Sequence, residues 1–185
     1  MAGALDRLTG PGAHSAELWL QFVAATLGAL GAAWWYYAAT EGSIWLALLA
    51  GFLGFDIAGG VVTNATSTAK RWFHRPGRGF SHHFAFQLVH LVHIALLAFV
   101  FDLGNWRFFA LVAGTLVIGS LLTLASPLFL KRPVAMTAYG VAIVTLPLLV
   151  SAPIGVEWFL PLFFLKLFVA HLVPEESYQP GDELP

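Results

Sequence analysis

The sequence predicts an all-α polytopic integral membrane protein with about six transmembrane helices in one bundle. Of its 185 residues, 58% are hydrophobic and only 10% are charged, which is more apolar surface than a soluble domain of this size can bury. Runs without a charged residue extend over 18–40, 84–101, 108–130 and 133–156. Each run is close to or longer than the roughly 18 to 20 residues that cross a bilayer as a helix.

The predicted spans, in chain order, are 18–39, 43–64, 83–101, 107–130, 134–152 and 156–173. All seven tryptophans fall at or just outside the ends of these spans, as expected of an aromatic belt at the membrane surface. The first span is too long for a secretory signal and ends in bulky aromatic residues, where signal cleavage needs small ones. We therefore expect residues 1–173 to form a single transmembrane domain and the acidic, proline-containing segment 174–185 to be a flexible tail.

The basic residues predict the orientation of the chain. The connection between spans two and three carries Lys70, Arg71, Arg75 and Arg78, and the connection between spans four and five carries Lys131 and Arg132. By the positive-inside rule these loops face the cytoplasm. A six-span chain in the cell (inner) membrane then has both termini in the cytoplasm.

Composition and missing motifs exclude several functions. The chain has no cysteine and a formal net charge of −1, which argues against thiolate metal sites, disulfides and nucleic-acid binding. The sequence contains no GxSxG, HExxH, GxGxxG or P-loop pattern, so serine hydrolysis and nucleotide chemistry are disfavoured. Any metal site must use histidine, carboxylate or amide ligands.

The second predicted span has one polar face. Asp56, Gly60 and Thr63 follow helical spacing, with Asn64 beside them. A carboxylate near mid-span costs about 2.5–3.5 kcal/mol on insertion scales, so Asp56 needs a partner, a proton or an aqueous cavity. Lys166 in span six is expected at a similar depth, and a buried ion pair between these two residues would satisfy both.

Histidines mark the third span. His83, His90 and His93 lie on a little over a third of the helix circumference, and His171 near the end of span six reaches the same half of the membrane. Imidazole is the commonest metal-ligating side chain, and an i,i+3 pair such as His90 and His93 can converge on one ion. The alternative for this cluster is core or headgroup packing without a ligand.

These residues predict a membrane-embedded, histidine-dependent metalloenzyme that acts on a lipid or other hydrophobic substrate at the cytoplasmic leaflet. His83, His90, His93 and His171 are the candidate ligands of zinc or iron. Asp56, Asn64 and Lys166 are candidate catalytic residues, and Arg71, Arg75 and Arg78 are a candidate clamp for a headgroup phosphate.

Two alternatives remain open at this stage. The same Asp and His residues could serve a small transporter or proton-coupled carrier as a proton relay. Alternatively, two histidines could bind haem, or the chain could be a structural subunit. Membrane lipids are the expected partners, and the sequence leaves open whether the chain forms a homo-oligomer.

Overall fold

The computed structural model describes residues 3–175 and residue 182, and every regular element in this part of the chain is a helix. In chain order the helices are α1 (Ala4–Thr9), α2 (Ser15–Thr40), α3 (Ile44–Ala65), α4 (Ser67–Phe73), α5 (Phe80–Val89), α6 (Leu91–Leu96), α7 (Trp106–Ala125), α8 (Leu128–Leu149) and α9 (Phe159–Phe164). A π-helical segment, Leu97–Phe101, continues α6, and a second one, Leu165–His171, continues α9.

The predicted fold class is confirmed. Five helices are long and apolar enough to cross a membrane: Ser15–Thr40, Ile44–Ala65, Phe80–Phe101, Trp106–Ala125 and Leu128–Leu149. The sixth, Phe159–His171, is apolar but shorter. The flexible tail predicted for residues 174–185 lies mostly outside the described residues.

The helix ends follow local sequence signals. His14 begins α2 with a capping box: its Nδ1 accepts a hydrogen bond from the Ala16 backbone N–H at 3.2 Å, and its own backbone N–H donates to Glu17 at 3.0 Å. Ser43 caps α3, and Asn105 caps α7 by accepting a hydrogen bond from the Phe108 backbone N–H at 2.8 Å. Such caps satisfy backbone N–H groups that have no partner within the helix.

Helices α2 and α3 pack as a hairpin in unusually close contact. A methyl group at Gly28 would lie 2.5 Å from both the Ala58 Cβ and the Gly54 carbonyl oxygen, and one at Gly59 would lie 2.7 Å from the Ala25 Cβ. Small residues of this kind let two membrane helices approach with their backbones in contact.

The short helix Phe159–His171, which is the sixth predicted span and is called the sixth helix below, lies in the centre of the bundle. Phe159, Phe163, Phe164, Leu167 and Phe168 are all fully buried, so the other helices surround this element and provide most of its contacts. It brings Lys166 and His171 into the interior, where both are also buried.

Six predicted span boundaries differ from the helix ends by three residues or more, and the largest differences lie between spans four and five. Span four was expected to reach residue 130 and span five to begin at 134, but α7 ends at Ala125 and α8 begins at Leu128. The cause is Pro127, which keeps Ser126 in an extended conformation and so ends the helix. Span six begins at Phe159 rather than 156, because Gly155 adopts a left-handed conformation (φ 84°) against Tyr36 before the helix starts.

The basic residues of both loops lie at one end of the bundle, which we call the basic end. Lys131 in α8 turns back and donates hydrogen bonds to the Thr123 and Leu124 carbonyls, at 3.3 and 2.9 Å. Lys70 in α4 donates to the Ala170 carbonyl at 2.6 Å. The Lys131 ammonium therefore lies at the C-terminal end of α7, and the Lys70 ammonium lies at the C-terminal end of the helix Phe159–His171. Unpaired carbonyls and the helix dipole favour a cation at such an end.

Candidate functional site

The centre of the candidate site is the carboxylate of Asp56, near the middle of α3. The Lys166 ammonium lies 2.6 Å from Asp56 Oδ2, so the ion pair predicted between these residues is confirmed. The Lys166 side chain is only 4% exposed, whereas the Asp56 side chain is 40% exposed. The lysine is therefore enclosed by protein, and the carboxylate forms part of an open surface.

Glycine at position 60 makes room for this pair. A Cβ at Gly60 would lie 2.8 Å from Lys166 Nζ and 2.9 Å from its Cδ. The lysine side chain thus runs directly across the backbone of α3, one turn from Asp56. Any larger residue at position 60 would displace the ammonium from the carboxylate.

His93 is the second partner of Asp56. Its Nε2 lies 3.0 Å from Asp56 Oδ2, and because a carboxylate only accepts hydrogen bonds, Nε2 carries the hydrogen. His93 Nδ1 is buried and has no hydrogen-bond partner among the described residues. The Asp56 carboxylate therefore fixes the orientation of the imidazole and leaves its other nitrogen available.

His90 connects this group to a cavity. Its ring stacks on that of His93 with centroids 5.1 Å apart, and its Nδ1–H donates to the Phe86 carbonyl at 2.7 Å. In a neutral imidazole with this hydrogen bond, Nε2 carries the lone pair. His90 can therefore accept a proton or bind a ligand at Nε2.

A cavity of about 270 Å³, which we call the central cavity, lies against the ion pair. Its polar wall is formed by Gln21, Asp56, Thr63, Asn64, His90 and Lys166. Gln21 is 4% exposed; its Oε1 accepts a hydrogen bond from Thr63 at 3.1 Å, and its Nε2 has no partner in the described part of the chain. The cavity therefore presents a buried, unused hydrogen-bond donor beside an ion pair.

The opening of the central cavity is apolar. Leu5 and Leu8 of α1, Phe22 of α2 and Phe55 of α3 line it, and all four side chains are exposed. Exposed phenylalanine and leucine on helices of a membrane bundle suit contact with lipid chains. The combination of polar wall and apolar opening suits a molecule with one polar end.

Three further histidines, His74, His83 and His171, form a separate group nearer the basic end. His83 Nδ1 lies 3.2 Å from His171 Nε2, and the rings of His74 and His83 stack with centroids 4.5 Å apart. The Phe86 ring packs on His171 on one side (centroids 3.9 Å apart) and contacts His90 on the other (4.5 Å). Phe86 therefore divides the histidines into two groups.

Burial lowers the pKa of two groups at this end. It lowers the pKa of His74 to about 4, with nearby His83 acting in the same direction, so His74 is neutral at pH 7. The His74 Nε2–H donates to the His171 carbonyl at 2.9 Å. Burial also lowers the pKa of Lys70 to about 8, which leaves it mostly protonated at neutral pH.

The three candidate clamp arginines do not lie together. Arg71 donates a hydrogen bond to the Thr68 hydroxyl at 2.8 Å. Arg75 and Arg78 instead line a second cavity, of about 280 Å³, together with Arg7. Two of the three candidate clamp residues thus line one cavity together with an arginine from the N-terminal helix, and a phosphate clamp stays a prediction.

The four candidate metal ligands are divided between the two groups. His90 and His93 lie together near Asp56, whereas His83 and His171 are in contact on the other side of Phe86. Within residues 3–175, no group of three or more histidine or carboxylate side chains is placed to hold a metal ion. Metal binding at either group therefore stays a prediction.

Several residues of the site were not identified from sequence. Gln21 was overlooked, although a glutamine inside a long apolar run is itself a signal of a buried polar site. His74 lies between the second and third predicted spans, and no sequence pattern places it beside His83. No sequence signal indicated that Phe86 separates the histidines, because this depends on how α5 packs against the sixth helix.

The chain matches no protein-family model, no curated protein and no solved structure. The geometry of the site therefore has to indicate the function.

Proposed function

We propose that the protein is a proton-coupled carrier for a hydrophobic molecule with an uncharged polar end. In this proposal the basic end faces the cytoplasm, in accord with the positive-inside rule. The central cavity takes the molecule from the cytoplasmic leaflet. The observation that carries the proposal is a carboxylate, Asp56, that holds a buried lysine and a histidine at the edge of a cavity with an apolar opening.

The charges of the central cavity favour an uncharged polar group. Asp56 and Lys166 compensate each other, so neither is available to neutralise a charged ligand. The unused Gln21 Nε2 can donate to an oxygen of the cargo, and His90 Nε2 can accept from a hydroxyl. A hydroxyl or carbonyl on an apolar chain matches these partners and the apolar opening.

Proton coupling follows from the shared carboxylate oxygen. Lys166 and His93 both contact Asp56 Oδ2, so a proton on Asp56 removes the charge that holds both partners. Lys166 must then lose its own proton or move, because an unpaired ammonium in the bundle interior is expensive. Either response changes the donors that the cavity offers to the cargo.

The helix that carries Lys166 has the form expected of a moving element. Its second half, Leu165–His171, is π-helical, and an irregular stretch containing Pro153 and Gly155 precedes the helix. Interrupted helices line the binding sites of many transporters, and π-helical turns often occur at functional sites.

A photoreactive long-chain alcohol tests cargo binding. The purified protein is placed in phosphatidylcholine nanodiscs with a diazirine-bearing hexadecanol, irradiated at pH 5.5 and pH 8, and digested for peptide mapping. We expect adducts in α2 and α3 around the central cavity, with a yield that changes several-fold with pH. Since the alcohol has no ionisable group in this range, the change must come from the protein.

Two variants serve as comparison. Asp56→Asn/Lys166→Met removes both charges and should abolish the pH dependence, whereas Thr145→Val, on the exposed side of α8, should not alter it. In vesicles loaded with a pH dye, the same alcohol should cause proton entry with the wild type and not with the double variant. Labelling spread evenly over the lipid-facing helices, or an equal proton response in the double variant, would contradict the proposal.

One observation favours a metalloenzyme as a second candidate. His90 lines the same cavity as Asp56, and its Nδ1–H hydrogen bond to a carbonyl is the arrangement that commonly orients a histidine whose other nitrogen binds a metal. Elemental analysis of the purified protein tests this candidate, and an absorption spectrum tests haem. Stoichiometric zinc or iron that is lost in His90→Ala would support the enzyme over the carrier.

A further inference from the structure

The second cavity at the basic end has a concentration of positive charge. We call it the basic pocket; its wall includes Arg7, Arg75, Arg78, His82, His83 and His171. Among the residues that the structure describes, no aspartate or glutamate lines it. The pocket therefore differs from the central cavity, where a carboxylate compensates the cation.

The three arginines of the basic pocket have no acidic partner in the described part of the chain. The ion pairs there join Asp56 to Lys166 and His93, and Arg132 to Glu175. Other basic side chains at this end have structural roles, as Lys70 and Lys131 hydrogen-bond to helix carbonyls and Arg71 to Thr68. Among the cations at the basic end, the pocket arginines are thus those that neither pair with a described carboxylate nor hold a helix end or the Thr68 hydroxyl.

Arg75 is held in place without a counter-ion. Its guanidinium lies over the Trp72 ring, 3.4 Å from the ring centroid, and also donates to the Trp72 carbonyl. Stacking on an aromatic ring restricts a guanidinium while leaving N–H groups available for a ligand. Such an arginine is ready to bind an anion with little loss of conformational freedom.

Two further features of the pocket favour an anion. His171 is 3% exposed, and its Nδ1 has no hydrogen-bond partner in residues 3–175. In the tautomer with hydrogen on Nδ1, where Nε2 accepts from His83 Nδ1, His171 can donate a hydrogen bond to an anion. The long helix Phe80–Phe101 begins beside Arg78 without a side-chain cap, so its positive N-terminal end is also directed at this region.

We infer that the basic pocket binds a phosphate group. Guanidinium groups bind phosphate with paired hydrogen bonds, and three of them match a dianionic phosphate better than a single carboxylate. The phosphate can belong to a lipid headgroup or to a small soluble molecule, since the same contacts serve both. The inference does not depend on the proposed carrier function, because no member of the Asp56–Lys166–His93 group lines the pocket.

Binding of radiolabelled inorganic phosphate to the protein in phosphatidylcholine nanodiscs tests the inference. Arg75→Gln/Arg78→Gln should weaken binding by about a hundredfold, since each lost charge-assisted contact is expected to contribute about tenfold. Arg71→Gln is the matched control in the same segment, and we expect it to bind as the wild type does. Arg7→Gln provides a second pocket variant if the double variant does not fold by circular dichroism.

Phosphatidic acid in the nanodisc distinguishes the source of the phosphate. Competition by this lipid against labelled phosphate would assign the site to a headgroup, and binding without competition would assign it to a soluble phosphate; both outcomes support a phosphate site. Absence of binding, or an equal loss in Arg71→Gln, would overturn it in favour of general surface charge. Asp56→Asn/Lys166→Met should bind phosphate normally, so failure of this inference and failure of the carrier proposal are distinguishable.

Discussion

Asp56→Asn should be among the most destabilising single substitutions in the bundle. It leaves the Lys166 ammonium, in a side chain that is only 4% exposed, without a compensating charge, because the backbone carbonyl of residue 56 at 3.3 Å and the new amide oxygen are neutral acceptors. Removing one partner of a buried ion pair costs about 3–5 kcal/mol, because the other charge stays buried without compensation.

The reverse substitution should cost less. Lys166→Met leaves Asp56 with a side chain that is 40% exposed at the central cavity and still accepts a hydrogen bond from His93 at 3.0 Å. We expect a loss of about 1–2 kcal/mol, comparable to one charge-assisted hydrogen bond. The double variant Asp56→Asn/Lys166→Met should regain most of the stability lost in Asp56→Asn.

Titration of the purified protein with SDS in mixed micelles, followed by circular dichroism, measures these differences in the free energy of unfolding. The Thr145→Val variant is the control, since its hydroxyl bonds only to its own helix. An Asp56→Asn variant no less stable than Lys166→Met, or additive losses in the double variant, would refute the claim that the carboxylate compensates the buried ammonium.

Three further predictions concern stability. Gly28→Ala should cost about 1–3 kcal/mol in the same titration, because its methyl group would lie 2.5 Å from the Ala58 Cβ, whereas Gly31→Ala, with open space around it, should be neutral or slightly stabilising. The pKa of His74 is about 4 in the folded protein and ordinarily 6.5, so its unfolded form binds the proton more readily; its contribution is fully present above pH 6.5 and is lost as pH falls towards 4. The free energy of unfolding of His74→Gln should therefore depend less on pH in this window, and an unchanged slope would count against the assignment. Lys131→Met should cost about 1 kcal/mol through loss of its hydrogen bonds to the end of α7, and a thermal melt no lower than that of the wild type would disprove this role.

Depth counted along the helices was enough to predict the ion pair between Asp56 and Lys166. Helices have a fixed rise per residue, so two positions at the same depth in neighbouring spans can be matched without knowing the packing. The third member, His93, could not be matched in this way. The rotation of the helix Phe80–Phe101 about its own axis decides which of its histidines faces Asp56. This rotation depends on side-chain packing.

The histidine arc shows the same limit. An ideal helical wheel places His83, His90 and His93 on one face, and this suggested a common ligand set. In the structure the helix is interrupted at His90, and Phe86 lies on the same face between the two groups. A wheel describes direction around the axis, but it does not describe which bulky side chain fills the space between two residues of the arc.

The three lysines of the chain differ in the kind of partner that holds the ammonium group. Lys70 and Lys131 bind carbonyls at helix ends, where the partial negative charge is already present and no carboxylate is needed. Lys166 lies within a helix, away from such an end, and needs the full charge of Asp56. Replacing a buried ion pair by apolar residues is often neutral or stabilising, so stability alone gives little reason to place this pair inside the membrane. Its position at a cavity, with a histidine on the same carboxylate oxygen, instead supports the proposed proton exchange, and under that proposal the double variant is expected to fold but not to respond to pH.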